Sequence, residues 1–504
     1  MKTLTFLFAG FLAAASALHA ELAVDPIYQA DMVLQRAVCV PICGTSDSAE
    51  PITVSFAGQS VQAAVEGGRW QAVLAPMEAS AEGRTLTITQ GEQKVALENV
   101  LVGEVWIASG QSNMFWRLEQ TGDRRALEQG EIPAFRYYQA EPQVLLSPRA
   151  YPEEKRQLLR SGDMYRGGWC VSTPPNNRRM SAVGWYFGRK LQELLGVPVG
   201  VVHVSLGASE MAAWVPPAVL REKYPDCLTS RWMESPYVPA WCRGRGKLNL
   251  VADPEEPHPF KPGYLYSTGI APWVNFPVAG VIWYQGEADA ETNNPALNCE
   301  LLADMIKGWR ADFHKETLPF CMVQLPRIRD NSPLRAYWPE FREVQHRVSQ
   351  LLPAVYYVTT IDLGMTNNDV HPPRKLEVGE RLAALAAARV YGCRGVPYSG
   401  PAIAGAEAQG EKVVVHYHHA SGLKTTDGAA PVGFELSEDG QVYHAAAAEL
   451  RGESVELSCP ELKHPQYVRY AWAVFLNPNL INDAGLPAVP FCRQVEKTAE
   501  PQAR

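Results

Sequence analysis

Between about residues 101 and 395, short apolar runs alternate with helical patterns, and four of the runs end in polar loops. Such alternation implies a parallel sheet with helices packed across it. It also fixes where chemistry belongs, because open α/β sheets carry their sites beyond the carboxyl ends of the strands. The first run, Val105 to Ala108, leads into Gly110-Gln111-Ser112-Asn113-Met114. The run Val199 to Val204 leads into Ser205-Leu206-Gly207-Ala208-Ser209. A third passes from Val281 to Tyr284 into Gln285-Gly286-Glu287-Ala288-Asp289, and Val355 to Leu363 precedes Asn367-Asn368-Asp369-Val370-His371-Pro372-Pro373.

Each loop holds a residue type that acyl transfer needs. A serine at a strand end can expose its hydroxyl, which is inert until a base reaches it. His371 can accept that proton, and an acid two residues away can fix its tautomer and stabilise the imidazolium. The Gln285 amide could donate to a developing oxyanion, and Gly207 lets a backbone N–H approach a ligand closely. Any one of these residues has an ordinary structural reading; the four together point to nucleophilic catalysis.

The set resembles the sialate O-acetylesterase family, a branch of the SGNH hydrolases. The resemblance is carried by Gly110-Gln111-Ser112-Asn113-Met114, Trp283-Tyr284-Gln285-Gly286-Glu287 and Asp369-Val370-His371-Pro372. Flanking segments join them: Asp31 to Arg36, Leu265 to Pro272, Val468 to Ala473 and Ala484 to Ala488. The resemblance implies an α/β fold, an SGNH-hydrolase-like three-layer parallel sheet flanked by β-rich N-terminal and C-terminal modules. It implies Ser112 as nucleophile, His371 as general base, and an oxyanion hole drawn from the Ser112 N–H, an N–H around Gly207 and Gln285. Asp369 is the expected orienting acid. Asn368 occupies the position three before the histidine, where many SGNH hydrolases carry the acid, Asp362 is a rival, and a backbone carbonyl could serve in a Ser-His dyad.

The chain departs from the family pattern in several places. Ala208 and Ser209 stand for a glycine and a threonine, Ala212 for a glutamate, Asp289 for an asparagine and Met365 for an aspartate. These changes bear on the substrate more than on the chemistry. The function expected is removal of O-acetyl groups from carbohydrates, O-acetylated sialic acids first. Acetylated xylan or another polysaccharide is an alternative, and a non-catalytic sugar-binding protein is an alternative of another class.

The rest of the chain is consistent with an exported enzyme of several domains. At 504 residues it exceeds what one core usually organises. With 46% apolar and 20% charged residues it reads as globular. A formal charge of −8 argues against a nucleic-acid surface. Residues 1–20 read as a signal peptide, with Lys2 before an apolar run from Leu4 to Leu18 and cleavage after Ala17 or Ala20. No later stretch reads as a membrane span. Short alternating strands predict a β-sandwich over residues 21–100, a catalytic domain follows over 101–395, a second β-rich module over 396–495, and a polar, disordered tail over 496–504. Helices are expected from Ser181 to Leu191 and from Arg374 to Arg389. The stretch from Leu220 to Tyr264 reads either as a lid or as an excursion packed on its own aromatics.

Neither a cofactor nor a metal is expected: HExxH, Walker and dinucleotide signatures are all missing from the sequence. The ten cysteines are scattered, most reading as buried thiols with room for one or two bridges, of which Cys227–Cys242 is one pairing. Among the aromatics beside the motifs, Trp283 reads as core and Trp116 as the better candidate to face a sugar ring.

Overall fold

A computed structural model describes residues 21–496 apart from 251, 252 and 254. The signal-peptide and tail expectations therefore fall outside the described residues, apart from Glu496 at the tail's start. The central sheet is built from β1 (Gln93–Gly110), β2 (Ile132–Pro142), β3 (Tyr165–Ser172), β4 (Val199–Ser205), β5 (Gly280–Tyr284), β6 (Phe320–Val323) and β7 (Val355–Val358). Their order across the sheet is β3-β2-β4-β1-β5-β6-β7. All neighbours are parallel except β3, which runs antiparallel to β2.

Side chains alternate between the two faces, as the period of a strand requires. Trp106 and Ala108 of β1 enter one core with Val183, Phe187 and Leu191 of α1 (Ala182–Leu195) and Leu382 and Ala386 of α4 (Lys375–Arg389). Val105 and Ile107 enter the opposite core with Leu301, Met305 and Trp309 of α2 (Pro295–Asp312) and Val344 and Val348 of α3 (Trp338–Leu351). The helix starts follow local rules: the Ser181 hydroxyl accepts from the Gly184 N–H at 3.0 Å and caps α1. Pro372 and Pro373 lie just ahead of α4.

β1 is 18 residues long and serves two structures. Its first half pairs with Ser80–Gln90, which in turn pairs with Ile52–Phe56 in the amino-terminal module, and its second half is the middle of the central sheet. The expected boundary near residue 100 thus lies inside a strand. Two four-stranded antiparallel sheets and a two-stranded one form the carboxyl-terminal region around their own core, with Val413, Leu436, Val455 and Tyr470 in it. Arg342 of α3 fastens that region to the rest: buried to 1% exposure, it donates to the carbonyls of Leu325, Pro326 and Ala473 at 2.8–2.9 Å.

The Leu220 to Tyr264 stretch packs on an aromatic of its own and on one outside it: His258 stacks on Trp232 and on Tyr151, at centroid distances of 5.7 and 5.6 Å. The Cys227–Cys242 pairing is corrected, since all ten cysteines are free. The Cys227 thiol meets the Ser235 hydroxyl at 3.5 Å, whereas that of Cys242 points to the Ala208 carbonyl at 3.5 Å. Each sulfur already has a polar neighbour of its own.

The chain order reverses around β1, whose neighbours β4 and β5 come later in sequence and lead away to opposite edges. Gly110, Ser205 and Tyr284 share one register, so three loops leave the sheet at the same level. Gly110 makes this possible. Its φ is +141°, and an added Cβ would lie 2.1 Å from the Tyr284 carbonyl oxygen. Gly110→Ala is expected to lower stability by ~2 kcal/mol or more, through backbone strain and overpacking. Urea unfolding would read this; an unchanged midpoint would mean that the strand ends can part freely.

Candidate active site

Ser112 opens a single helical turn, Ser112–Phe115, directly beyond β1. His371 lies on the loop between β7 and α4, and its Nε2 is 2.9 Å from Ser112 Oγ. The two residues are 259 positions apart in sequence, so the sheet topology brings them together. Ser112 and His371 are both half-buried. The imidazole stacks on Trp116, with centroids 5.3 Å apart and planes 18° from parallel. Trp116 is therefore a wall of the base as well as a half-exposed aromatic face. Trp283, Tyr266 and Tyr284 are buried in the core.

Asp369 and Asp362 differ in their partners. Asp369 Oδ1 lies 3.2 Å from His371 Nδ1 and also accepts the His371 backbone N–H at 2.9 Å. Asp362 forms a two-pronged pair with Arg381 at 2.7–2.8 Å. That pairing occupies both of its oxygens and removes it as a rival. The Asp369 side chain is 49% exposed, so water competes for the carboxylate and weakens its hold on the ring. Burial pushes the His371 pKa below the ordinary histidine value; Asp369 pulls it up and Lys375 pushes it down.

Gly207 borders Ser112 closely: a Cβ added there would sit 3.8 Å from Ser112 Cβ. Among the described residues neither the Ser112 N–H nor the Gly207 N–H has a hydrogen-bond partner. Two donors thus stand free beside the hydroxyl. Ala208 has φ +57°, a left-handed conformation that costs an alanine roughly 1–2 kcal/mol. The glycine usual in this position in the family pattern would carry no such cost.

Gln285 needs correction. It is 1% exposed, and its Nε2 donates to Asp289 Oδ2 and, at 3.4 Å, to the Ser209 carbonyl. With both amide hydrogens taken, it offers no free donor to an oxyanion. Asp289, where the family pattern has an asparagine, supplies the acceptor that takes the amide. Burial pushes the Asp289 pKa up to about 7, against the pull of Gln285 and the Met211 N–H. Gln285 instead braces the loop that carries Gly207.

Three further residues close the rear of the site and were not assigned roles from sequence: Asn113, Glu287 and Lys375, all buried. Asn113 and Glu287 stand inside the motifs, but their residue types carry no sign of a role. Lys375 lies at the start of an ordinary helical pattern, where a solvated lysine is the default. No group of histidine, cysteine, aspartate and glutamate suited to a metal ion occurs among the described residues. No described helix is long and apolar enough to cross a membrane.

Residues 263–388 match the family described as carbohydrate esterase, sialic acid-specific acetylesterase. The sialate O-acetylesterases of Pongo abelii and Homo sapiens are each 26% identical over 402 residues, which is 74% of this chain and 71% of theirs. A crystal structure of a carbohydrate acetylesterase from Xanthomonas citri superposes with a TM-score of 0.78 at 29% identity. The match covers 94% of this chain and 99% of that one. The chain is a sialate O-acetylesterase-like carboxylic ester hydrolase.

Proposed function

We propose that this protein is an exported serine esterase that removes O-acetyl groups from carbohydrates, O-acetylated sialic acids first. The observation that carries the reading is the 2.9 Å approach of His371 Nε2 to Ser112 Oγ beside two unpaired backbone N–H groups. In the first half-reaction Ser112 Oγ attacks the acetyl carbonyl carbon while His371 takes the hydroxyl proton. The N–H groups of Ser112 and Gly207 face the developing oxyanion. Collapse breaks the ester bond, and the sugar oxygen leaves with the proton held on His371. Water, deprotonated by the same imidazole, then attacks the acetyl-Ser112 carbonyl, and acetate departs as Ser112 recovers its proton.

Asp369 orients the ring by holding Nδ1–H, in a Ser-His-Asp arrangement on an SGNH-like three-layer sheet. The 1–20 leader, with Lys2 before its apolar run, supports export. An acetylated glycan is the partner expected, with no nucleic acid. A second reading, a polysaccharide such as acetylated xylan as substrate, is favoured by one observation. The structural relative aligned along 94% of this chain is named a carbohydrate acetylesterase, the broader of the two descriptions.

Acetate release from O-acetylated sialoglycans and from acetylated xylan, measured side by side, tests both readings. Ser112→Ala is expected to reduce turnover by about 10⁴-fold or more with an unchanged far-ultraviolet spectrum; sustained release would reject Ser112 as nucleophile. Asp369→Asn is expected to cost only about 10–100-fold, well short of the ~10⁴-fold seen when a buried triad aspartate is replaced, because this exposed carboxylate accepts from water as well as from Nδ1–H. A larger loss would assign Asp369 a stronger role than its exposure suggests. The base must be neutral, and burial lowers its pKa, so the acid limb of kcat/KM should fall below about pH 6.5, the ordinary histidine value. A limb at or above that value would contradict the assignment of His371.

A further inference from the structure

Behind Ser112 and His371 lies a buried polar knot that the steps above do not use. Asn113 is 0% exposed, Lys375 1% and Glu287 3%. Asn113 Nδ2 donates to Glu287 Oε1 and, at 2.9 Å, to the Val370 carbonyl, while its Oδ1 accepts from Lys375 Nζ. The amide can take only one orientation here. Turned over, it would set NH₂ against an ammonium and its oxygen against two acceptors. Lys375 Nζ also sits over the rings of Trp116 and Tyr284, at 5.8 and 5.4 Å from their centroids. Trp116 is the ring on which His371 stacks.

The Asn113–Val370 bond lies one residue along from the Ser112–His371 pair on both segments. Apart from that pair, it is the one hydrogen bond between residues 111–117 and 366–373 among the described residues. We propose that Lys375 is a positioning residue for the esterase reaction: by locking the Asn113 amide, it ties the Val370–His371 peptide to the turn that carries Ser112. The proposal rests on the reading of Ser112 and His371 as nucleophile and base.

A buried ammonium is costly, and hydrophobic packing alone would be better served by methionine. The charge has a use at the imidazole. Asp369, on the imidazole's own loop, pulls the His371 pKa up, while burial and Lys375, from α4, push it down. Lys375 itself faces Glu287, from the loop after β5, and Asp369, and burial takes its pKa down to about 7. Arg335, which pairs with Glu291, also acts to lower the Glu287 pKa. At the pH of the acid limb Lys375 is charged, so its removal lets His371 keep its proton to higher pH.

Steady-state kinetics of Lys375→Met against pH, with Ser112→Ala alongside, test this. Expected is a fall in kcat of about tenfold or more from a misplaced base, with KM within about twofold. The acid limb of kcat/KM should move up by about half a pH unit or more. Asn113→Ala should lower kcat similarly while leaving the limb in place. A wild-type kcat in Lys375→Met, a loss with an unmoved limb, or a rise in KM alone overturns the proposal. Should Lys375→Met not fold, Asn113→Ala decides, and undiminished kcat there rejects the tether. Continued acetate release by Ser112→Ala would instead reject the esterase reading itself.

Discussion

Strand β1 has a hydrogen-bonded neighbour on each edge of its carboxyl-terminal half and a packed core on each face. A strand so enclosed cannot slip register without moving every side chain it buries. Its end is therefore strictly located, and Ser112 stands two residues beyond it. β4 and β5 finish level with β1, so the Gly207 and Gln285 loops inherit the same precision. The amino-terminal module adds to this constraint, because the first half of β1 is anchored in a second sheet. A displacement of that module would be felt at the strand that carries the serine.

The base is held differently. His371 lies on a loop with an exposed aspartate, and the restraints on it are a stacked tryptophan and the tether from Asn113. In a triad with a buried acid, the carboxylate does most of the orienting and electrostatic work. On the proposed reading these tasks are divided: Asp369 supplies local direction to Nδ1, and a buried lysine–asparagine–glutamate chain holds the loop from behind. The division places the costly charges where solvent cannot screen them and leaves the acid at the surface.

Much of the fold was legible because the central strands are apolar on both faces and end in motif loops, which gives a parallel sheet with few alternatives. The Ser112–His371 approach was legible for the same reason, since strand ends on one side of a sheet converge. What escaped the sequence was contact-level competition. Gln285 reads as an oxyanion donor until Asp289 is seen to take its amide. Lys375 reads as a surface lysine until α4 turns it inward. The module boundary near residue 100 was invisible because a strand shared by two sheets has no break in pattern. The Cys227–Cys242 pairing failed because nothing in the spacing of two distant thiols reveals where their sulfurs point.

The ten free cysteines have a consequence for how the molecule meets its surroundings. Cys43, Cys227, Cys242, Cys321 and Cys459 are buried. Burial pushes their thiol pKa values up, to about 11 for Cys227. Thiolate is the reactive form toward oxidants and disulfides, so the packing that stabilises the core also silences its sulfur chemistry. No disulfide joins any two of the ten cysteines in the described fold, so its cohesion rests on packing and hydrogen bonds. Cys39 alone is exposed, which makes one site near the amino terminus the natural handle for attaching a label or a surface without touching the catalytic cleft.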